Sequence, residues 1–376
     1  NPTFSNPLVD PRFDVLKQAG YIGTAPTWTD LNGKWAYPGK TYGQSILAIY
    51  DKVKTIKVDT DSEKVKQLTQ EIEALRKEIS RLNNITDFKN YYVKSILNEV
   101  DVETIRKNPP KLCIVSSSDF VISTVVPMLT DLGCRVVSFS SANLSEHAAI
   151  VDEIKSSDAN FAAYIDSNGE RLVFVDRCGN IVEDDLFLAL TSLITFKTSP
   201  ESNVVVPITA PSVIEIIAEK YGGKVVRTKT SPQAVMEQML NHNLFKNKKG
   251  MNQFLLNFDA LAGLVKIIEY LCVENTTLTD SLEEIPKFYL SKKKIFCPWE
   301  LKGRVMRTLI TEKEGEKVEL LDGVKFIFEK GWALVLPDAD MPLCRVCAEG
   351  ESAEIAEEIS EKYIEKIKKI INSQNT

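Results

Sequence analysis

Histidine is nearly missing from this chain. His147 and His242 are the only two in 376 residues, so any mechanism that needs several imidazoles is excluded. Cysteine is present, at Cys113, Cys134, Cys178, Cys272, Cys297, Cys344 and Cys347, but it forms no framework. The number is odd, the positions are scattered, and most lie in apolar runs. That predicts reduced, buried thiols in a cytoplasmic protein. Cys344 and Cys347 make one CxxC, and no second pair completes a zinc set. No basic block interrupts a net charge of −6, which argues against a nucleic-acid partner. No apolar stretch approaches the length of a membrane span. The chain starts at Asn1 and not at Met, so it is expected to be a processed form or a piece of a longer chain. The lack of a leader therefore says little about compartment.

What is present is ordinary for a globular protein. The chain is 44% hydrophobic and 26% charged, and its length suggests two to four domains. Residues 1–58 are rich in aromatics, Gly and Pro. Asn32-Gly33 is a good hairpin turn, because that pair readily takes positive φ. Trp28, Trp35, Tyr37 and Tyr42 gather around it. They form either an exposed binding patch or, more simply, a small aromatic core or a contact with another chain.

Residues 59–84 have a different texture. Thr60 and Glu63 are spaced as a capping box, which starts a helix. Val65, Leu68, Ile72, Leu75, Ile79 and Leu82 follow at spacings of 3-4-3-4-3. This is a heptad seam with β-branched residues at a and Leu at d, the combination that favours parallel dimers. Glu71 at g would face Arg76 at e of the partner helix. The seam predicts a homo-oligomer; the alternative is a helix packed on its own chain.

From residue 85 strands and helices alternate. FKNYYVKSILNEVDVETIRK predicts one helix, KLCIVSS a short buried strand, TVVPMLTDLG a helix ending at Gly133, and CRVVSFS a strand. The order repeats after residue 203 with VVVPI, PSVIEIIAEKYGG, KVVRT and SPQAVMEQML. Such alternation implies βαβ units around mixed or parallel sheets, an α/β fold. ELLDGVKFIFEKGWALVLPD predicts antiparallel strands turning at Lys330-Gly331, and SAEIAEEISEKYIEKIKKIIN a closing helix. The expected divisions are 85–198, 199–298 and an α+β domain at 299–376. In the first of these, YIDSNGER delivers an acid from a buried strand into a tight polar turn. Oxygen donors Asp166, Asn168 and Glu170 stand where a hard cation such as Mg²⁺ could be held.

These landmarks carry a resemblance. YIDSNGER resembles the Asp-Gly-Asp-x-Asp-Arg metal loop of the α-D-phosphohexomutases, the phosphomannomutase/phosphoglucomutase family. VVVPITAPSVIEIIAEKYGGKVVRTK resembles the opening of that family's third domain. DGVKFIFEKGWALVLPDADMPLCRVCAEG resembles its fourth, whose phosphate loop reads Arg-Pro-Ser-Gly-Thr-Glu-Pro followed by an Arg. The resemblance implies the family's second, third and fourth domains over 88–372. DSNGER, FCPWELKGRVMRTL and GWALVLPDADMPLCRV are more narrowly similar to the mutase-like tail fused behind sugar-1-phosphate nucleotidyltransferases. Such an enzyme is therefore an expected partner.

The departures point away from catalysis. The phosphoserine string Thr-Ala-Ser-His-Asn-Pro is absent. In the metal loop Asn168 and Glu170 replace aspartates and Ser167 replaces a Gly, so any Mg²⁺ there would be held weakly and no cofactor is expected. In the phosphate loop Leu336 replaces the leading Arg, and Asp338, Ala339 and Asp340 replace Ser, Gly and Thr, so two carboxylates are expected to repel a phosphate there. Arg171 and Arg345 are the family-matched cations left for a phosphate. The expected function is a catalytically degenerate phosphohexomutase-like module, structural or regulatory, in sugar-phosphate or sugar-nucleotide metabolism. Two alternatives stand beside it: an active phosphomannomutase/phosphoglucomutase-type isomerase, and a scaffold anchored by its N-terminal segment.

Overall fold

A computed structural model describes residues 42–54, 67, 70–73, 85–140, 147–242, 253–312 and 317–373. The chain divides into two units, 1–84 and 85–376. In the first, apolar residues at Ile46, Ile49, Tyr50 and Val53 recur at helical spacing, and helix α1 spans Tyr42–Lys54. This helix lies inside the aromatic-, Gly- and Pro-rich segment 1–58, where only a hairpin turn was read from the sequence. Of the six seam residues only Ile72 lies among the described residues. It is helical and 49% exposed. Val65, Leu68, Leu75, Ile79 and Leu82, like the aromatic cluster at Trp28, Trp35 and Tyr37, lie outside them.

The second unit opens with α2 (Ile85–Leu97) and α3 (Val102–Lys107). One helix was expected here. Asp101 divides it by acting as N-cap of α3, accepting from Thr104 N at 3.1 Å and Thr104 Oγ1 at 2.7 Å. A short side chain that satisfies the orphan amides of a new helix competes with continuing the old one.

A five-stranded sheet follows, in the order β2-β1-β3-β4-β5. Its strands are β1 (Lys111–Val115), β2 (Arg135–Phe139), β3 (Phe161–Ile165), β4 (Leu172–Asp176) and β5 (Ile181–Val182). β1 pairs in parallel with β2 and β3, while β4 and β5 run antiparallel. The central strands are buried on both faces, which is why they read as unbroken apolar runs. One face (Leu112, Ile114, Phe161, Phe174) packs in the main core with α4 (Asp119–Asp131) and α6 (Asp184–Thr198). The other (Cys113, Val115, Ala162, Val175) packs on α5 (His147–Ser157).

The next lobe holds a two-stranded parallel sheet, β6 (Asn203–Pro207) with β7 (Lys224–Thr228), and helices α7 (Val213–Lys220) and α8 (Pro232–Asn241). Val205 is bonded on its free side by a side chain. The Gln253 amide accepts from Val205 N at 2.9 Å and donates to Val205 O at 2.7 Å, as a neighbouring strand would. α9 (Gln253–Phe258), α10 (Ala260–Val273) and α11 (Leu278–Glu283) complete this part. α10 is buried from Ala260 through Ile268. It belongs to the same core as β1, β3, β4 and β6, so the lobes expected at 85–198 and 199–298 share one interior.

The C-terminal sheet is antiparallel, in the order β8-β12-β11-β10-β9. It contains β8 (Tyr289–Phe296), β9 (Lys317–Glu319), β10 (Val324–Phe328), β11 (Gly331–Pro337) and β12 (Leu343–Gly350). β8 pairs with β12 from Tyr289↔Gly350 to Phe296↔Leu343, so this sheet begins ahead of the boundary expected at residue 299. Ser291 and the three consecutive lysines put polar side chains on both faces of β8, so no apolar alternation marks the strand. The tight turn from β10 to β11 needs Gly331 (φ +147), where a Cβ would sit 2.0 Å from Glu349 O. α12 (Trp299–Thr311) and α13 (Ala353–Asn372) cover one face around Phe326 and Tyr363. The other face packs Trp332, Leu334 and Cys347 on Ile208 of the preceding lobe. Cys344 and Cys347 thus lie on opposite faces of β12 and share no site. Among the described residues, no helix is long and apolar enough to cross a membrane.

Candidate functional site

The acidic loop connects β3 to β4. Ile165 and Leu172 are paired, so residues 166–171 form the connection. Asp166 organises it: its Oδ1 accepts from Glu170 N at 2.8 Å and Arg171 N at 2.9 Å, and its backbone N donates to Arg171 O at 3.1 Å. Gly169 (φ +74) turns the chain where a side chain would press on Leu261. Its carbonyl accepts from Ala260 N at 2.9 Å, which ties the loop to the first turn of α10. That turn is capped by Asp259, whose Oδ1 accepts from Leu261 N, Ala262 N and Tyr92 Oη, the last at 2.6 Å. Burial and then Asp259 push the Tyr92 phenol well up, so it stays a donor.

The loop opens on a cleft of about 480 Å³ whose far wall carries Met236, Leu256 and Phe258. Asp166, Glu170, Arg171 and Asp184 line it, and Asn168 does not. Two of the three expected ligands therefore share the cleft and the third is apart. Among the described residues no group of three or more His, Cys, Asp or Glu is placed to hold a metal ion. Arg171, expected to serve a phosphate, donates to Asp184 Oδ1 at 2.9 Å. Both side chains are well exposed, so the pair is weak and the guanidinium can exchange partners.

The C-terminal loop, between β11 and β12, is built differently. Asp338 is 6% exposed. Its Oδ1 accepts from Asp340 N and Met341 N, both at 2.9 Å, and its Oδ2 accepts from Arg345 Nε at 2.7 Å. Arg345 Nη2 closes a second contact to the same oxygen. Lys302 supports the loop from below, donating to Asp338 O and Met341 O at 2.6 Å each, with Nζ 3.4 Å from the ring centre of Trp299. The carboxyl of Asp338 is held below the usual range, first by the Asp340 N–H and then by Arg345 and Met341 N–H.

This corrects the expectation that two acids stand together and repel an anion. Asp340 points outward, is exposed, and gives the loop only its backbone N–H. Asp338 turns inward and is bonded by two loop amides and a guanidinium. Two amides and a guanidinium are the donor set of an oxyanion site, and here the chain fills it. Arg345, expected to be available to a phosphate, is engaged by Asp338. Sequence reasoning missed Lys302 and Trp299. Their spacing of three in the first turn of α12, just after Pro298, was the available signal.

No protein-family model matches the chain. It is 28% identical over 309 residues to a phosphoglucomutase/phosphomannomutase of Thermococcus kodakarensis, covering 77% of this chain and 66% of that protein. It is 27% identical over 304 residues to a phosphoglucosamine mutase of Methanococcus maripaludis, covering 74% and 66%. Among solved structures, a phosphoglucomutase/phosphomannomutase family protein of Burkholderia thailandensis superposes with a TM-score of 0.62 at 16% identity, over 75% of this chain and 64% of that one. An N-acetylphosphoglucosamine mutase of Aspergillus fumigatus, solved with GlcNAc-6P and magnesium, superposes with a TM-score of 0.52 at 11% identity, over 75% and 65%. The chain spans 66% of the length of the two curated relatives. By sequence and by fold, about three quarters of this protein is α-D-phosphohexomutase-like.

Proposed function

We propose that this chain is a phosphohexomutase-like module without turnover of its own, a cytoplasmic structural or regulatory component of sugar-phosphate or sugar-nucleotide metabolism. One observation carries the reading: the Asp338 carboxylate accepts from Asp340 N, Met341 N and Arg345, the donors that a substrate phosphate would need. Phosphoryl transfer depends on positioning and on charge stabilisation of the phosphoryl group. A loop filled by its own acid supplies neither. One sequence feature supports it: the unmatched acids of the 166–171 loop. The likeness of the tail to mutase-like domains fused behind sugar-1-phosphate nucleotidyltransferases makes such an enzyme the partner of choice.

The names of the curated relatives favour a second reading, an active phosphoglucomutase- or phosphoglucosamine mutase-type isomerase. The test is direct. Purified chain is incubated with glucose-1-phosphate, glucosamine-1-phosphate or mannose-1-phosphate, with Mg²⁺ and the matching 1,6-bisphosphate, and followed by ³¹P NMR. We expect no 6-phosphate above the protein-free control. Conversion proportional to protein concentration would overturn the first reading and establish the second.

A further inference from the structure

One side of α12 is not used by the core. Leu301, Val305 and Leu309 pack inward in the C-terminal core. On the outer side Trp299 is 52% exposed and Ile310 is 36% exposed, and Gly303 between them is exposed as well. These three positions fall within about 40° of one another around the helix axis. Phe296, 68% exposed, continues the apolar stripe past the start of the helix. Single exposed apolar side chains need no explanation, but a stripe of them along one side of a helix marks a packing face.

Gly303 is the odd member of the stripe. Glycine inside a helix destabilises it relative to alanine. A Cβ at this position would meet only Arg307 Nη1, at 3.5 Å, an ordinary contact. Packing among the described residues therefore does not call for glycine here. What glycine supplies is a place where a second backbone can come close.

Charge indicates which backbone that is. Glu300 and Arg307 are exposed, and neither side chain has a hydrogen bond or an ion pair among the described residues. They lie seven residues apart on one flank of the stripe, farther than the i,i+3 and i,i+4 pairs that meet on a helix. Their midpoint falls between Gly303 and Arg304. A second α12 laid antiparallel about a twofold axis at that point brings Glu300 of each copy beside Arg307 of the other. It also brings the two glycines to the crossing, and Ile310 of each copy to Phe296 and Trp299 of the other. Such a contact is isologous, the same patch meeting itself. A different partner would have to carry its own acid and base at this spacing, whereas α12 already has both.

We infer that the outer face of α12 is a self-association surface. Two copies of this chain pair on it antiparallel, with Gly303 at the crossing and Glu300 of each copy facing Arg307 of the other. One helix face is small beside the roughly 20–30 residues a side of a stable complex, so the pair is weak and forms at high concentration.

The experiment is sedimentation velocity on the full chain up to about 0.5 mM, which detects a sub-millimolar Kd. Wild type is expected to self-associate. Glu300→Arg and Arg307→Glu should each weaken association at least about tenfold, because each sets like charges together twice. The double variant Glu300→Arg/Arg307→Glu should return to within about threefold of wild type, as a swapped pair does. Gly303→Gln should lose association with its circular dichroism unchanged. As a second measurement, Gly303→Cys should give a disulfide-linked dimer with oxidised glutathione. It is made in a Cys178→Ser background, because Cys178 is exposed. In the same background Leu240→Cys, at an exposed position on α8, should give none. A wild-type chain that stays monomeric would overturn the inference. So would association that survives Gly303→Gln and both single reversals without a Gly303→Cys cross-link. A double variant no better than the single ones would overturn the antiparallel pairing of Glu300 with Arg307.

Discussion

Asp338 and Asp340 stand two residues apart and do opposite things. Asp338 is buried and accepts three kinds of donor, while Asp340 faces water. Replacing Asp338 with Ser removes the internal anion and leaves Asp340 N–H, Met341 N–H and Arg345 without their acceptor. Inorganic phosphate should then bind at least about tenfold more tightly than to wild type, since one charge-assisted hydrogen bond is worth that much. Calorimetry reads this directly, and adding Asp340→Thr should change little. Equal affinity in Asp338→Ser and wild type would mean the loop collapses without its acid. The carboxyl is depressed in the folded state, so its contribution is complete above the ordinary carboxylate range. It is lost as the pH falls below that range.

At the scale of elements, the C-terminal sheet is held to the preceding lobe by buried polar contacts. Glu349 accepts from Ser212 N at 2.9 Å, Ser212 Oγ at 2.9 Å and Trp332 Nε1. Asp322 accepts from Thr230 N and Oγ1, both at 2.8 Å. Lys325 donates to Ile208 O at 3.2 Å and lies 4.1 Å from the Trp332 ring centre. Burial first, and then the charge of Arg227, pull the Lys325 ammonium down to about 8, against the opposing pull of Glu319, Glu215 and Glu349. Below pH 8 Lys325 is charged both folded and unfolded, and the fold bears the whole cost of burying it. Between about 8 and the ordinary 10.5 the folded state has released a proton that the unfolded state keeps, so stability rises with pH. The change is on the order of 3 kcal/mol at most. Urea melts from pH 7.5 upward should show this rise, and Lys325→Met should abolish it. A variant with the same pH slope as wild type would assign the dependence to other groups.

For the whole molecule, every buried hydrophobic side chain among the described residues lies between Ile96 and Ile370. A chain beginning at residue 85 should therefore fold as the full chain does, with a urea midpoint within about 0.5 M. A large loss of stability would show that residues 1–84 contribute to the hydrophobic cores.

The order of strands and helices was legible because burial imposes period. β1, β3 and β4 are apolar on both faces, whereas α4, expected from Thr124, starts at Asp119 because Ser118 caps it. β8 was not legible, because SKKKI reads as a surface segment until β12 is known to lie beside it. The single helix expected across 88–107 became two because Asp101 caps locally, a competition that periodicity does not register.

The α/β alternation, the likeness to phosphohexomutases and the residues at each loop are read from the chain alone. Only the tertiary structure decided what those residues do. Asp338 and Asp340 are the same residue type in the same loop, and composition predicts that both repel an anion. Whether a carboxylate repels an anion or replaces it depends on which way the side chain turns and which donors it meets. That is set by β12 placing Arg345 beside Asp338 and by Lys302 of α12 holding the loop from below, contacts made across the sheet and not along the chain.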